Sequence, residues 1–469
     1  MTFKKIVLAS LLAGIGAAPQ AFAATDAERI AQLEAQLKLM QAQLAELKAS
    51  AAKAEDVKDI RNQMEASVKE NVVVGDIPGS FRIPGTETSI HLYGIAELNL
   101  VREGKGDNGD SDYATFLPYA PLSGSAGAHR SGQTYLHGRT SRIGIEGSTP
   151  TPFGQVMVKV EGDFNNDPRT GNAQVSSTDS PKNIFTQQVT NSYNFRLRHA
   201  YVQAGPWLAG QTWSTFMDID NTPETVDFNG PIGSTFLRQP QLRYTYATPE
   251  SGNFTVALEN PVSYVYDKTG STMPAGFSKL PDLVMRWDKP FTWGALSLRG
   301  VTLEHRLNDG NGINVARRGM GLAASGQIKT VGDDFISWMV TGGSGIGRYF
   351  NYIEGAGYDE AANRIRMERV AGLVLGYQRK VSDTFRMNFV YGLQKNRANE
   401  YTDWAAANGL DSGRYGINRK LSQLHVGAIW NPIKPVDLGA EYIWGRRETL
   451  AGETGGMSRV NLLARYNLN

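Results

Sequence analysis

The 469-residue chain carries 48 Lys+Arg against 46 Asp+Glu, a formal charge of +2 that falls to zero if Lys4 and Lys5 leave with a leader. That balance excludes the basic surface a nucleic-acid partner requires, and the absence of cysteine excludes a disulfide framework. Mean hydropathy is −0.34, and no stretch beyond the N-terminus holds the roughly 18 uninterrupted apolar residues of a membrane helix. A membrane β-barrel stays open, because its strands turn an apolar side chain to lipid only at every second position.

In chain order, Lys4 and Lys5 precede an apolar run from Ile6 to Ala18 and a small-x-small site at Ala21-Phe22-Ala23. This predicts a secretory signal peptide over residues 1–23 and export of the rest. Residues 24–70 predict a periplasmic coiled-coil helix. Ile30, Leu33, Leu37, Met40, Leu44, Leu47, Ala51 and Ala54 recur at intervals of three and four, and Val57, Ile60 and Met64 continue the seam after a one-residue slip. A single amphipathic helix lying on the remainder of the protein is the alternative. Gly75, Pro78, Gly79 and Pro84 mark residues 71–87 as a linker.

From 88 to 469 the period changes from 3.6 to 2. The first strand puts Leu92, Ala96, Leu98 and Leu100 on one face and His91, Tyr93, Glu97 and Asn99 on the other. The last separates Val460, Leu462, Ala464, Tyr466 and Leu468 from Arg459, Asn461, Arg465 and Asn467. About fourteen further strands fit between them, joined alternately by short turns such as Gly205-Pro206 and long segments such as 166–192, 216–239 and 343–367. The expectation is an all-β fold, a transmembrane antiparallel barrel of about 16 strands with both termini on the short-turn, periplasmic side. Tyr244, Tyr246, Trp287, Trp338, Tyr377, Trp430, Tyr442 and Trp444 fall near the ends of the apolar faces, where interfacial rings belong. The 51 glycines suit its many bends.

No catalytic constellation is apparent: the six histidines have no metal-ligand spacing, and no nucleophile elbow or P-loop occurs. Neither enzyme activity nor a cofactor is expected. Asp107, Asp110 and Asp112 lack EF-hand spacing and read as a solvated acidic loop. Alternation turns Arg196, Arg198, Arg243, Arg286, Arg386, Arg459 and Arg465 inward, together with Glu97, Glu161, Asp163 and Glu441. Arginines facing a lumen favour anions through long-range attraction and bidentate contact with carboxylates. Arg139 and Arg142 cannot both face inward without a bulge, nor can Arg299 and Glu304. Inward Arg196 and Arg198 put His199 outside, at a subunit contact. Segment 216–239, anchored by Phe216, Phe228 and Phe236, reads either as a loop folded into the pore or as an ordinary surface loop.

Ser141-Arg142-Ile143-Gly144-Ile145-Glu146-Gly147 is similar to the second-strand signature of Gram-negative general porins. Leu197-Arg198-His199-Ala200-Tyr201, Leu208-Ala209-Gly210-Gln211-Thr212-Trp213, Val226-Asp227-Phe228-Asn229-Gly230-Pro231 and Glu441-Tyr442-Ile443-Trp444-Gly445 resemble the DcaP-like porins. The resemblance implies a trimeric, sixteen-stranded outer-membrane barrel with a periplasmic N-terminal coiled coil, embedded in outer-membrane lipid and passing small anions such as dicarboxylates. The chain departs from the usual barrel ending in finishing Tyr466-Asn467-Leu468-Asn469 rather than on an aromatic residue. The expected function is a diffusion porin. The alternative is an envelope tether in which the helix reaches the cell wall and the pore is secondary.

Overall fold

A computed structural model describes residues 26–71, 73–106, 116–165, 193, 195–350 and 353–468. The leader expected at 1–23 and the acidic residues Asp107, Asp110 and Asp112 lie outside the described residues. The chain divides at Val73/Val74 into two units.

The first unit contains helix α1 (Asp26–Asn71), 46 residues without glycine or proline. Ile30, Leu33, Leu37, Met40 and Leu44 are each 55–64% exposed. This part of the predicted seam is therefore unburied in a single chain. An isolated helix draws most of its stability from burying such a stripe.

The second unit is the barrel. Its strands are β1 (Ser89–Lys105), β2 (Thr134–His137 and Arg142–Thr151, one strand interrupted), β3 (Gly154–Asp163), β4 (Arg196–Ala204), β5 (Trp207–Trp213), β6 (Arg238–Thr248), β7 (Gly252–Glu259) and β8 (Asp282–Phe291). Then follow β9 (Gly294–Asn308), β10 (Asn314–Lys329), β11 (Phe335–Ser344), β12 (Arg369–Ser382), β13 (Phe385–Asn396), β14 (Asn418–Trp430), β15 (Val436–Thr449) and β16 (Thr454–Leu468). Each pairs antiparallel with its neighbours, and β16 pairs with β1 from Gly94↔Leu468 to Lys105↔Ser458, closing the sheet. Closure leaves no unpaired edge, the condition for a sheet to sit in lipid. The sixteen-stranded antiparallel barrel expected from the alternation is the observed fold.

Burial runs the reverse of a soluble protein. On β16, outward Val460, Leu462 and Leu468 are 38–52% exposed while inward Arg459 and Asn461 are at most 4%. Seven connections are short, among them 205–206, 249–251 and 383–384. The opposite end carries the long ones, such as 214–237, 260–281, 345–368 and 397–417, with 309–313 and 450–453 as short exceptions. Within 345–368, Ala356–Asp359 and Arg364–Met367 form a small hairpin. Within 397–417, Glu400–Ala407 forms helix α2, whose N-cap Asn399 accepts the amides of Tyr401 and Thr402 in a capping box.

Candidate functional site

Loop 214–237 leaves β5 and folds against the inner wall. Its root is apolar: Phe216 is fully buried among inward Ala257, Val284, Val301, Leu303 and Ala323. Beyond the root, the wall is cut back to glycine where the loop crosses it. A Cβ at Gly376 on β12 would come within 2.5 Å of the Pro223 Cβ. Gly233 itself, at φ +94, leaves no room for a side chain, since a Cβ there would lie 2.6 Å from the Leu393 carbonyl oxygen.

Polar pins hold the rest. Asp218 accepts from Arg286 Nη2 at 3.2 Å and from Asn221 Nδ2 at 2.6 Å, and also from Ser325 Oγ. Arg299 Nη1 donates to the Phe216 carbonyl at 2.9 Å. Glu224 accepts Arg386 through both oxygens at 2.7 Å, and Asn388 Nδ2 at 2.9 Å. Glu441 accepts the backbone amides of Val226 at 3.1 Å and Asp227 at 2.9 Å, with His425 Nδ1 3.3 Å away. Burial pushes the Asp218 and Glu224 carboxyls up. Arg286 and Arg299 at the first, and Arg386 and Asn388 at the second, outweigh it and hold both below the usual carboxylate range.

Across from this loop stands a wall of guanidinium groups. The inner cavity is lined by Arg142, Arg198, Arg238 and Arg465 on one side and by loop residues from Met217 to Phe236 on the other. Arg196 binds Asp163 through Nε at 2.9 Å and Nη2 at 2.8 Å. Arg198 spans Glu161 at 2.5 Å and Asp163 at 2.8 Å, and Arg142 Nε stands 3.6 Å from Glu161. Arg465 binds Glu97 at 2.7 Å, and Glu97 also accepts Thr140 and Asn99. The Arg238 guanidinium lies over the Trp213 ring at 3.4 Å from its centroid.

The cations and their partners differ in access. Side chains of Arg142, Arg196 and Arg465 are 28–29% exposed, whereas those of Glu161, Asp163 and Glu97 are 0–6%. The carboxylates sit behind the guanidinium groups, so the surface this part of the wall presents is basic.

The sequence-predicted residues divide by role. Arg196, Arg198 and Arg465 join the wall with Glu97, Glu161 and Asp163. Arg286 and Arg386 pin the loop, as does Glu441. Arg243, half-buried on β6, has Arg286 and Glu259 as charged neighbours. Arg459 is buried in an ion pair with Glu103.

Three further residues escape simple alternation. A bulge between Glu161 and Gly162 shifts the β3–β4 register and turns His199 inward beside Arg198, where its Nδ1 contacts Thr212 Oγ1 at 2.9 Å. His199 is therefore a lumen residue, not an outer-face one. The break in β2 lets buried Arg139 face inward, over the Tyr193 ring, as well as Arg142; the phase conflict between the two was the readable signal. Arg238 begins β6 in the parity of outward Leu242 and Tyr244, yet reaches the lumen from the strand end. Arg299 faces inward and Glu304 does not, with no bulge between them. Among the described residues no group of three or more His, Asp or Glu could hold a metal ion.

The family model for the DcaP outer membrane protein matches residues 82–468, the whole barrel. The chain belongs to the DcaP outer membrane protein family. Among solved structures, it is similar to the outer membrane channel DcaP of Acinetobacter baumannii. That match has 23% identity and a TM-score of 0.67, covering 84% of this chain and 100% of that one. It is also similar to Salmonella typhi OmpF solved with daunomycin, at 12% identity and a TM-score of 0.50, covering 81% of this chain and 98% of that one. No curated protein matches it. The DcaP family assignment places this barrel in the outer membrane.

Proposed function

We propose that this DcaP-family barrel is a passive diffusion channel for small hydrophilic solutes, with a preference for anions such as dicarboxylates. The preference is set at the constriction between loop 214–237 and the arginine wall. The observation that carries the reading is the unequal access just described: Arg142, Arg196 and Arg465 offer about a quarter of their side chains to the lumen, and the acids neutralising them offer almost none. An anion entering the cavity meets donors that are already oriented by buried carboxylates. A cation must approach those acids through the guanidinium layer.

The chain is further proposed to assemble as a homotrimer with both termini periplasmic. In that arrangement α1 is a coiled coil within reach of the cell wall. The tether reading keeps the same barrel and gives α1 the main role.

Reversal potential in a salt gradient across a planar bilayer separates these. The expected sign is anion-selective. Changing Arg142, Arg196 and Arg465 together to Gln removes three positive charges, leaves Arg198 as the one arginine on Glu161 and Asp163 and takes the arginine from Glu97, and should shift the reversal potential towards cation selectivity. A cation-selective wild type would overturn the anion reading, and absence of conductance would favour the tether.

A further inference from the structure

A second cavity opens among the long loops, apart from the constriction. Its lining brings together Glu354 and Glu368 from loop 345–368, Gln394 from the end of β13, and Tyr266 and Tyr415 from neighbouring loops. Glu368 is 3% exposed. Its carboxylate accepts the Gly355 amide at 2.8 Å and Asn396 Nδ2 at 2.5 Å. The Glu354 carboxylate accepts the Tyr401 hydroxyl at 3.1 Å.

The groups acting on these two acids are each other, backbone amides and Tyr401, and no Arg, Lys or His is among them. One buried and one half-buried carboxylate thus share one cavity with no arginine, lysine or histidine against either. By contrast, the buried carboxylates Glu161, Asp163 and Asp218 each have an arginine against them.

Spare oxygen lies at the same place. Gln394 is 4% exposed, lines the cavity, and its Oε1 has no hydrogen-bond partner. Two residues along the same face, Asn396 is 8% exposed and its Oδ1 is likewise unpartnered while its Nδ2 serves Glu368. Buried amide oxygens are normally satisfied by a donor. A cluster of oxygens that includes two carboxylates is the donor set a hard cation takes.

We propose that this cavity binds one Ca²⁺ ion, with Glu354 and Glu368 supplying the charge and Gln394 a neutral oxygen. Calcium tolerates irregular coordination completed by water, whereas Mg²⁺ demands a near-octahedral set, and three side-chain donors from a loop and a strand end suit the former. Such an ion ties loop 345–368 to the rim of β13. Through Glu354 and Tyr401 it also ties that loop to α2.

The test uses the full chain, folded in detergent and stripped with EDTA. Tb³⁺ is titrated in with tyrosine excitation, since Tyr266 and Tyr401 stand at the site and sensitise its emission. The expected result is one saturable site per chain, displaced by Ca²⁺, with Ca²⁺ raising the melting temperature. The E354Q/E368Q variant should bind at least about tenfold more weakly and Q394M several-fold more weakly, while E360Q, an exposed acid of the same loop, should match wild type. Heat-modifiable gel mobility confirms that each variant is folded. If the double variant does not fold, wild type and Q394M decide the matter. No saturable Ca²⁺-displaceable site on wild type overturns the proposal, as does unchanged affinity in E354Q/E368Q or in Q394M. A melting temperature that responds to pH and not to Ca²⁺ assigns the pair to protons and overturns it equally.

Discussion

Glu441 faces inward by strand alternation, and in sequence it reads as one more lumen acid. Its partners, the amides of Val226 and Asp227, are more than 200 positions away in the chain, so its work as a loop pin could not be read from local pattern. Removing it leaves two buried N–H groups without an acceptor, at about 1–3 kcal/mol each. Glu441→Ala should therefore lower the melting temperature and make single-channel current noisy as the loop segment detaches. Glu441→Gln keeps one acceptor oxygen and should fall between Ala and wild type; identical traces for all three would remove Glu441 from this role. His199 and Arg238 teach the same lesson from the opposite side. Alternation assumes a regular strand, and a bulge beside Glu161 or a strand end at Arg238 breaks that assumption where the site is built. Arg196 and Arg465 lie in regular register and their inward aspect was legible, whereas Arg198 is the residue left without a cross-strand partner by the bulge.

At the scale of the element, loop 214–237 behaves as part of the wall. Composition left its direction open, because the features that receive it are on other strands: glycines at 376, 392 and 439, and the acceptors and donors Glu441, Arg386 and Arg286. Its acid response follows from Asp218 and Glu224. Both carboxyls are held below their ordinary value, so their pairing stabilises the docked loop at any pH above that ordinary value. The stabilisation is lost only as pH falls through the lowered one. Conductance should stay constant from neutrality to about pH 4, near the unperturbed carboxylate value, and become unstable only below it. Arg386→Ala removes the bidentate partner of Glu224 and should move that onset towards neutrality. Closure of the wild type already at mildly acidic pH would show that other groups control the loop. The glycine bed makes a steric prediction too: Gly376→Val has no space beside Pro223 and should push the loop off the wall and change conductance at all pH values.

For the whole molecule, the strands were the most legible part, because a closed barrel imposes one rule on every strand: apolar to lipid, polar to lumen. Among the exceptions are inward Ala257, Val284, Val301, Leu303 and Ala323, which are apolar where Phe216 packs into their cluster. Helix α1 poses the remaining question, since Ile30 to Leu44 display an apolar seam that a single chain leaves exposed. Burying side chains of this kind contributes about 1.5–3 kcal/mol each, enough to drive association if copies are brought together by their barrels. The chain has no cysteine, so an introduced one reports without background. Leu37 lies on the seam and Lys38 one position off it, about 100° around the helix. In a coiled coil, Leu37→Cys sits opposite its counterpart within disulfide reach. It should oxidise to a covalent pair of chains, whereas Lys38→Cys should remain monomeric on a non-reducing gel. If the helix instead lies alone on its own barrel, neither variant cross-links; equal cross-linking of both would indicate collision without register, and either result would refute the coiled coil.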